Sequence, residues 1–161
     1  MSQINVKIVN KSKHKLPQYE TSGASGMDIR ANLETSSISI APGQTVLVPT
    51  GVFVEIPDGY EIQVRPRSGL SLKTKLRVAN SPGTIDSCYR GEIKVIMTNT
   101  ADAVHNYTIG LQHVSYENEV INDGDRIAQI VLCEVPKINW VYATELSDTD
   151  RGTGGFGSTG K

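Results

Sequence analysis

The sequence predicts an all-β, single-domain fold of the sandwich, jelly-roll or barrel type, and three observations carry that reading. Val and Ile together number thirty, against seventeen for Leu plus Ala, and β-branched side chains suit a pleated, half-buried surface better than a helix. Apolar residues recur at every second position in several short runs, the period of a strand with one face buried. Pro-Gly and Asn-Asp-Gly clusters separate those runs, so the chain reverses direction often. A length of 161 residues suits one compact core.

Taken in order, Ile4, Val6 and Ile8 alternate as a first strand, followed by Ile38 with Ile40. A turn at Pro42-Gly43 precedes Val46 with Val48, and a second at Pro49-Thr50-Gly51 precedes Val52, Val54 and Ile56. Pro57-Asp58-Gly59 then turns the chain into Ile62 with Val64. One short helix is expected after Ser68, whose hydroxyl can cap Gly69-Leu70-Ser71-Leu72. Beyond a turn at Pro82-Gly83 lies a strand at Glu92–Met97, while Ala101 to Glu119 has no clear period and reads as a hairpin-like excursion. The turn Asn122-Asp123-Gly124-Asp125 leads into Ile127–Leu132, a nearly continuous apolar run that predicts burial on both faces. A last strand is expected around Asn139–Tyr142. Residues 1–146 thus form the domain. Residues 147–161, rich in glycine with Phe156 as their one aromatic, have too little apolar surface to fold alone and are expected to form a flexible arm.

Sixteen basic residues balance seventeen acidic ones, a net charge of −1, so no overall positive field is available to hold nucleic acid by its phosphates. No apolar run approaches the ~18 residues of a membrane helix, and the first residues lack the apolar stretch of a secretion signal. A soluble, cytoplasmic protein is expected, without a membrane partner. Cys88 and Cys133 are too few for a disulfide framework, and His14, His105 and His113 lack metal-ligand spacing.

Two motifs in the arm match by letter and fail on context. Gly152-Thr153-Gly154-Gly155-Phe156-Gly157 satisfies G-x-G-x-x-G, and Gly155 to Lys161 satisfies the opening of a Walker A loop. Neither follows a strand nor opens a helix, which both motifs require. Serial unobstructed backbone N–H groups beside Arg151 still form a segment able to wrap an anion.

Five short segments rich in Gly, Asp, Arg and Ser are set among the strands, the usual location of functional groups. They are Ala24–Ala31, Pro66–Lys73, Gly83–Gly91, Gly124–Ile130 and the terminal arm. In order, spacing and co-occurrence they strongly resemble the five motifs of the trimeric dUTP pyrophosphatase (dUTPase) family. The resemblance implies a jelly-roll-like (β-clip) subunit, a homotrimer whose active sites are each built from several subunits, and hydrolysis of dUTP to dUMP and pyrophosphate with Mg²⁺ carried mainly by the substrate phosphates and water.

By the same resemblance, Asp86 is the general base for the attacking water, a role worth about 10²–10⁴ in rate. Asn80 and the backbone of Gly83, Thr84 and Ile85 read uracil, and Tyr89 packs under deoxyribose, leaving no room for a 2′-hydroxyl. Arg67, Ser68, Gly69 and Gln129 hold phosphate oxygens through a guanidinium fork, a hydroxyl, an open N–H and a neutral amide. Asp28 holds Arg67 in register, and Asp125 with Arg126 is expected to form an internal ion pair. In the arm, Arg151 clamps the γ-phosphate, Phe156 stacks on uracil, and Gly157 and Ser158 close over the phosphates.

Position 88 departs from the pattern, since Cys88 stands where the family usually has a second aspartate; the expected role there is support of the Asp86 segment. Two alternatives share the fold: a deoxycytidine-nucleotide deaminase and a non-catalytic nucleotide-sensing module. Asp86 in its Gly-x-Ile-Asp setting, together with the glycine arm and Phe156, favours the pyrophosphatase.

Overall fold

The computed structural model describes residues 3–102, 104–108, 111–115 and 117–156. Twelve strands and one helix follow in the order β1 (Lys7–Asn10), β2 (Met27–Arg30), β3 (Ser37–Ile40), β4 (Thr45–Glu55), β5 (Tyr60–Arg65), α1 (Ser68–Lys73), β6 (Leu76–Val78), β7 (Gly83–Ile85), β8 (Glu92–Asn99), β9 (Val104–Thr108), β10 (Leu111–Ser115), β11 (Glu119–Asn122) and β12 (Arg126–Glu134). Two four-stranded sheets, ordered β1-β4-β8-β6 and β2-β12-β5-β7, are joined by the small pairs β3–β11 and β9–β10. Every pairing is antiparallel.

The core lies between the two large sheets. Ile29, Ile62, Val64, Ile127 and Ile130 from one meet Val48, Val52, Leu76, Ile93, Val95 and Met97 from the other, with Ile40 and Ile121 from the small pair completing it. Strand β8 shows the alternation most cleanly: Ile93, Val95, Met97 and Asn99 point inward, and their neighbours do not. Asn99, fully buried, donates to the carbonyls of Ile40 and Glu117 and accepts from the Ala101 amide, so its amide is satisfied.

The expected turn at Pro49-Thr50-Gly51 is instead a bulge inside one strand. Partners run Pro49 to Lys94 and then Val52 to Ile93, so two residues are inserted against none. A two-residue insertion preserves parity, which keeps Val48 and Val52 on the same inward face. The freed amides of Thr50 and Gly51 donate to one carboxylate oxygen of Glu92 at 3.0 and 2.7 Å. Gly51 has φ +69°, and a side chain there would strike Ser12. Turn and bulge both ask for glycine at positive φ; only the position of Glu92 across the ladder distinguishes them.

Other elements shift or fall away. The first strand begins at Lys7 rather than Ile4, and Asn139–Tyr142 forms no strand: residues 136–150 are exposed and pair with nothing among the described residues. Without a partner its amides gain nothing from an extended backbone. Strand β12 is central, yet only Ile127, Ala128 and Ile130 are buried, so its second face is half-open. The 101–119 excursion does contain a hairpin, β9 against β10. Helix α1 begins at Ser68 itself; Arg67 is its N-cap and no side chain caps it, so the capping role expected of the Ser68 hydroxyl is absent.

Candidate active site

The acid expected to activate water sits at the end of β7. Strand β7 pairs with β5 through Ile85 to Ile62 and Gly83 to Val64, which leaves Asp86 beside Glu61. It is exposed, and among the described residues its carboxylate takes no hydrogen bond. With Asp58, Glu61, Ser87, Val135 and Lys137 it borders a cleft of about 490 Å³. Residues 86–91 cross from β7 in one sheet to β8 in the other.

That crossover is pinned from three sides. The Tyr89 amide donates to the Asp86 carbonyl at 3.1 Å, Arg90 Nη1 donates to the carbonyls of Ser87 and Tyr89, and the Ser87 hydroxyl donates to Asp58 at 3.2 Å. The Tyr89 ring folds back over Gly91, where any β-carbon would overlap it, and its hydroxyl donates to the Glu92 carbonyl at 3.0 Å. Cys88 is exposed in the same turn as a free thiol. On the other flank, Asn80 packs on Gly83, its Nδ2 lying 3.1 Å from where a β-carbon would be. Asn80, the β7 backbone and the Asp86 turn therefore form one surface, with Thr84 exposed and Ile85 set into the core edge.

A second group assembles at the far end of β5. Arg67 Nε donates to Asp28 Oδ1 at 2.6 Å, and its Nη1 donates to the Arg126 carbonyl at 3.1 Å. The other oxygen of Asp28 accepts from Arg126 Nη1 at 3.1 Å. Asp28 thus holds Arg67 as expected, but it is shared: the pairing expected between Asp125 and Arg126 does not form. Asp125 instead caps its own turn, accepting from the backbone and side chain of Asn122 at 2.8 and 3.2 Å. Arg126 is the residue that sequence reasoning misassigned. Its partner lies 98 positions away and leaves no local signature.

Gln129 joins the same rim. Its Nε2 donates to the Pro66 carbonyl at 2.8 Å, and its carboxamide crosses Gly26 so closely that a β-carbon there would meet Oε1 at 2.6 Å. Ser68, Ser71, Ser81, Pro82 and Gln129 line a cleft of about 570 Å³, while Arg67, Gly69 and Arg126 face a neighbouring one. Ser68 and Gly69 are exposed at the start of α1.

The groups adjoin where Ser81 and Pro82, next to Asn80, share a cleft with Ser68 and Gln129, but Asp86 and Arg67 stand apart within one chain. From Glu61, beside Asp86, to Arg67 is six residues of extended chain, about 20 Å at roughly 3.3 Å per residue. The arm does not join them either. Arg151 Nε donates to the Gly154 carbonyl at 2.8 Å in a local turn, and Phe156, at φ 52°, is fully exposed. Gly157 and Ser158 lie outside the described residues. No helix among the described residues is long and apolar enough to cross a membrane.

The fold is an all-β sandwich with guanidinium, hydroxyl and amide groups gathered at one end of a ladder and, at the other, a carboxylate that takes no hydrogen bond among the described residues. The dUTPase family profile matches residues 12–160. The deoxyuridine 5'-triphosphate nucleotidohydrolase of Fusobacterium nucleatum subsp. nucleatum is 45% identical over 161 residues, all of both chains. Among solved structures, the Staphylococcus bacteriophage 80alpha dUTPase with dUPNHPP superposes with a TM-score of 0.83 at 26% identity, covering 98% of this chain and 99% of that one. A mutant dUTPase from phage phi11 of S. aureus, described for its coordination of a structural Mg(II) ion, gives 0.75 at 25% identity over 89% of this chain and 99% of that one. The chain belongs to the dUTPase family.

Proposed function

We propose that the chain hydrolyses dUTP to dUMP and pyrophosphate as a homotrimer with shared sites, and one observation carries this: Asp86 and the Arg67 rim lie at opposite ends of the β5–β7 ladder. One substrate can engage both only if they come from different copies. Family membership and the neighbour solved with a dUTP analogue support the substrate; they do not favour the deaminase or the sensing module. The trimer also gives residues 136–150 a partner, since Ile138, Trp140, Val141, Tyr142 and Leu146 are all solvent-exposed in a single chain.

In the reaction, Asp86 orients a water and accepts its proton while the water oxygen bonds to the α-phosphorus and the α–β bridging bond breaks, releasing pyrophosphate. Asn80 and the backbone of Gly83, Thr84 and Ile85 hold the uracil edge, and Tyr89 supports the deoxyribose, with Cys88 bracing the turn. A neighbouring copy supplies Arg67, Ser68, Gly69 and Gln129 to the phosphates. Arg151, Phe156, Gly157 and Ser158 close over the ligand; stacking of an aromatic on a base, worth about 1–3 kcal/mol, makes closure conditional on substrate.

The donor set fits an Mg²⁺ that arrives with the triphosphate. No group of three acidic, His or Cys side chains gathers among the described residues, and both oxygens of Asp28 are engaged by guanidiniums. In this proposal phosphates and water carry the ion, a common habit of Mg²⁺ at nucleotides. When bound, it neutralises charge on the phosphoanhydride. The free thiols of Cys88 and Cys133 suit a reducing cytoplasm.

Pyrophosphate release from dUTP, dCTP, dTTP and UTP, with and without Mg²⁺, tests the proposal. Rapid release from dUTP alone, dependent on Mg²⁺, supports it; comparable rates with dCTP or dTTP overturn it.

A further inference from the structure

The loop after β1 reaches across the domain to the turn before β12. Asn10 rigidifies it: its Oδ1 accepts from the Ser12 amide and hydroxyl at 2.9 and 2.7 Å, and its Nδ2 donates to the His14 carbonyl at 2.9 Å. Lys13 and His14 are thereby presented to Asp123. His14 Nε2 lies 3.1 Å from Asp123 Oδ1 and Lys13 Nζ 3.0 Å from Oδ2, while the Leu33 amide donates to Oδ1 at 2.8 Å. A carboxylate only accepts, so Nε2 carries the hydrogen. The imidazole also lies against Gly124, where φ is +83° and a β-carbon would sit 3.0 Å from Cε1.

From this turn a continuous path leads to the phosphate rim. The Gly124 carbonyl accepts from Arg30 Nη1 at 2.7 Å, and Arg30 stands two residues from Asp28 on β2. Arg126 follows the turn at a break in register between Arg126 and Ala128, so regular ladder pairing does not by itself aim its side chain. Yet Arg126 and Arg67 share the two oxygens of Asp28.

We propose that Asp123, gripped by His14 and Lys13, is a positioning residue for the phosphate-binding Arg67: the N-terminal loop sets the β11–β12 turn, the turn aims Arg126, and Arg126 shares Asp28 with Arg67. The inference rests on the reading of Arg67 as a phosphate ligand. It predicts a loss confined to the phosphate end of the substrate.

The test uses the full chain as Asp123→Ala, His14→Ala and the double variant, with steady-state kinetics on dUTP and competition by inorganic triphosphate and by deoxyuridine. Asp123→Ala is expected to raise the KM for dUTP and weaken triphosphate about tenfold, leaving kcat and deoxyuridine affinity within about twofold, as befits an outer partner of a ligating side chain. His14→Ala gives a smaller loss, and the double variant is no worse than Asp123→Ala. Equal weakening of triphosphate and deoxyuridine, or no change in either, overturns the inference. A wild-type chain that leaves dUTP intact refutes the functional proposal instead; triphosphate affinity, read by calorimetry on wild type and Asp123→Ala, then decides the positioning role separately.

Discussion

Asp28 and Arg67 are 39 residues apart in the chain and 2.6 Å apart in the fold, Nε to Oδ1, with both side chains only about a fifth exposed. The remaining carboxylate oxygen holds Arg126, so one acid sets two guanidiniums at the rim proposed to bind phosphate.

Removing that acid therefore costs more than one hydrogen bond. Asp28→Ala leaves two neighbouring cations without their common anion, and the loss of stability is expected at about 1–3 kcal/mol, from urea denaturation. KM for dUTP rises in parallel.

Arg67→Lys is expected to behave as a loss rather than a conservative change. Arg67 uses Nε and Nη1 together, to Asp28 and to the Arg126 carbonyl, and a lysine has one point charge with which to replace that fork. Turnover of dUTP by this variant at a near wild-type KM would contradict the assigned geometry.

Asp86→Asn should lower kcat by about 10²–10⁴ while dUTP affinity, measured by calorimetry, stays nearly constant. Because Asp86 and Arg67 are expected to reach one substrate from different copies, mixing inactive Asp86→Asn with inactive Arg67→Ala after subunit exchange should restore turnover. A mixture that stays inactive despite verified exchange would remove the shared site.

Gly91→Ala forces a methyl group into the Tyr89 ring, which folds directly across that glycine. The ring must move off its bond to the Glu92 carbonyl, at a cost of about 1–3 kcal/mol. Discrimination between dUTP and UTP is expected to fall by roughly tenfold, read as the ratio of kcat/KM values.

The Asp123 carboxyl is held down to about 2, first by the Leu33 amide and then by His14 and Lys13, against the partial burial that raises it. A carboxyl lowered on folding contributes stability that is complete above its ordinary value and lost as pH falls through the folded value. The stability difference between wild type and Asp123→Asn should thus be constant above about pH 4 and shrink towards about pH 2. Urea titrations at half-unit steps measure it; a gap that persists unchanged at pH 2 contradicts the assignment.

Much of the fold was legible because strand alternation and glycine turns are local. Ile38 with Ile40, Ile62 with Val64 and the β8 run all announce their inward faces through period two. Strands β2, β6, β7 and β11, of three or four residues each, emerge only in the fold, where β12, β8, β5 and β3 supply their ladder partners. At the site, the resemblance picked out Asp28 as the anchor of Arg67, yet Arg126 was paired with its neighbour Asp125 because adjacency was the only cue available.

Local residue chemistry was enough to establish the all-β class and the turns at Gly43, Gly59 and Gly124, where φ is positive; the candidate site residues came from the family resemblance. The folded arrangement settled which of them face each other: Arg126 with Asp28, His14 with Asp123 at a separation of 109 residues, and Glu92 with the bulge at Thr50 and Gly51. Backbone conformation follows from each residue and its immediate neighbours, whereas a hydrogen bond between distant side chains exists only once strand pairing and register have fixed the distance between them.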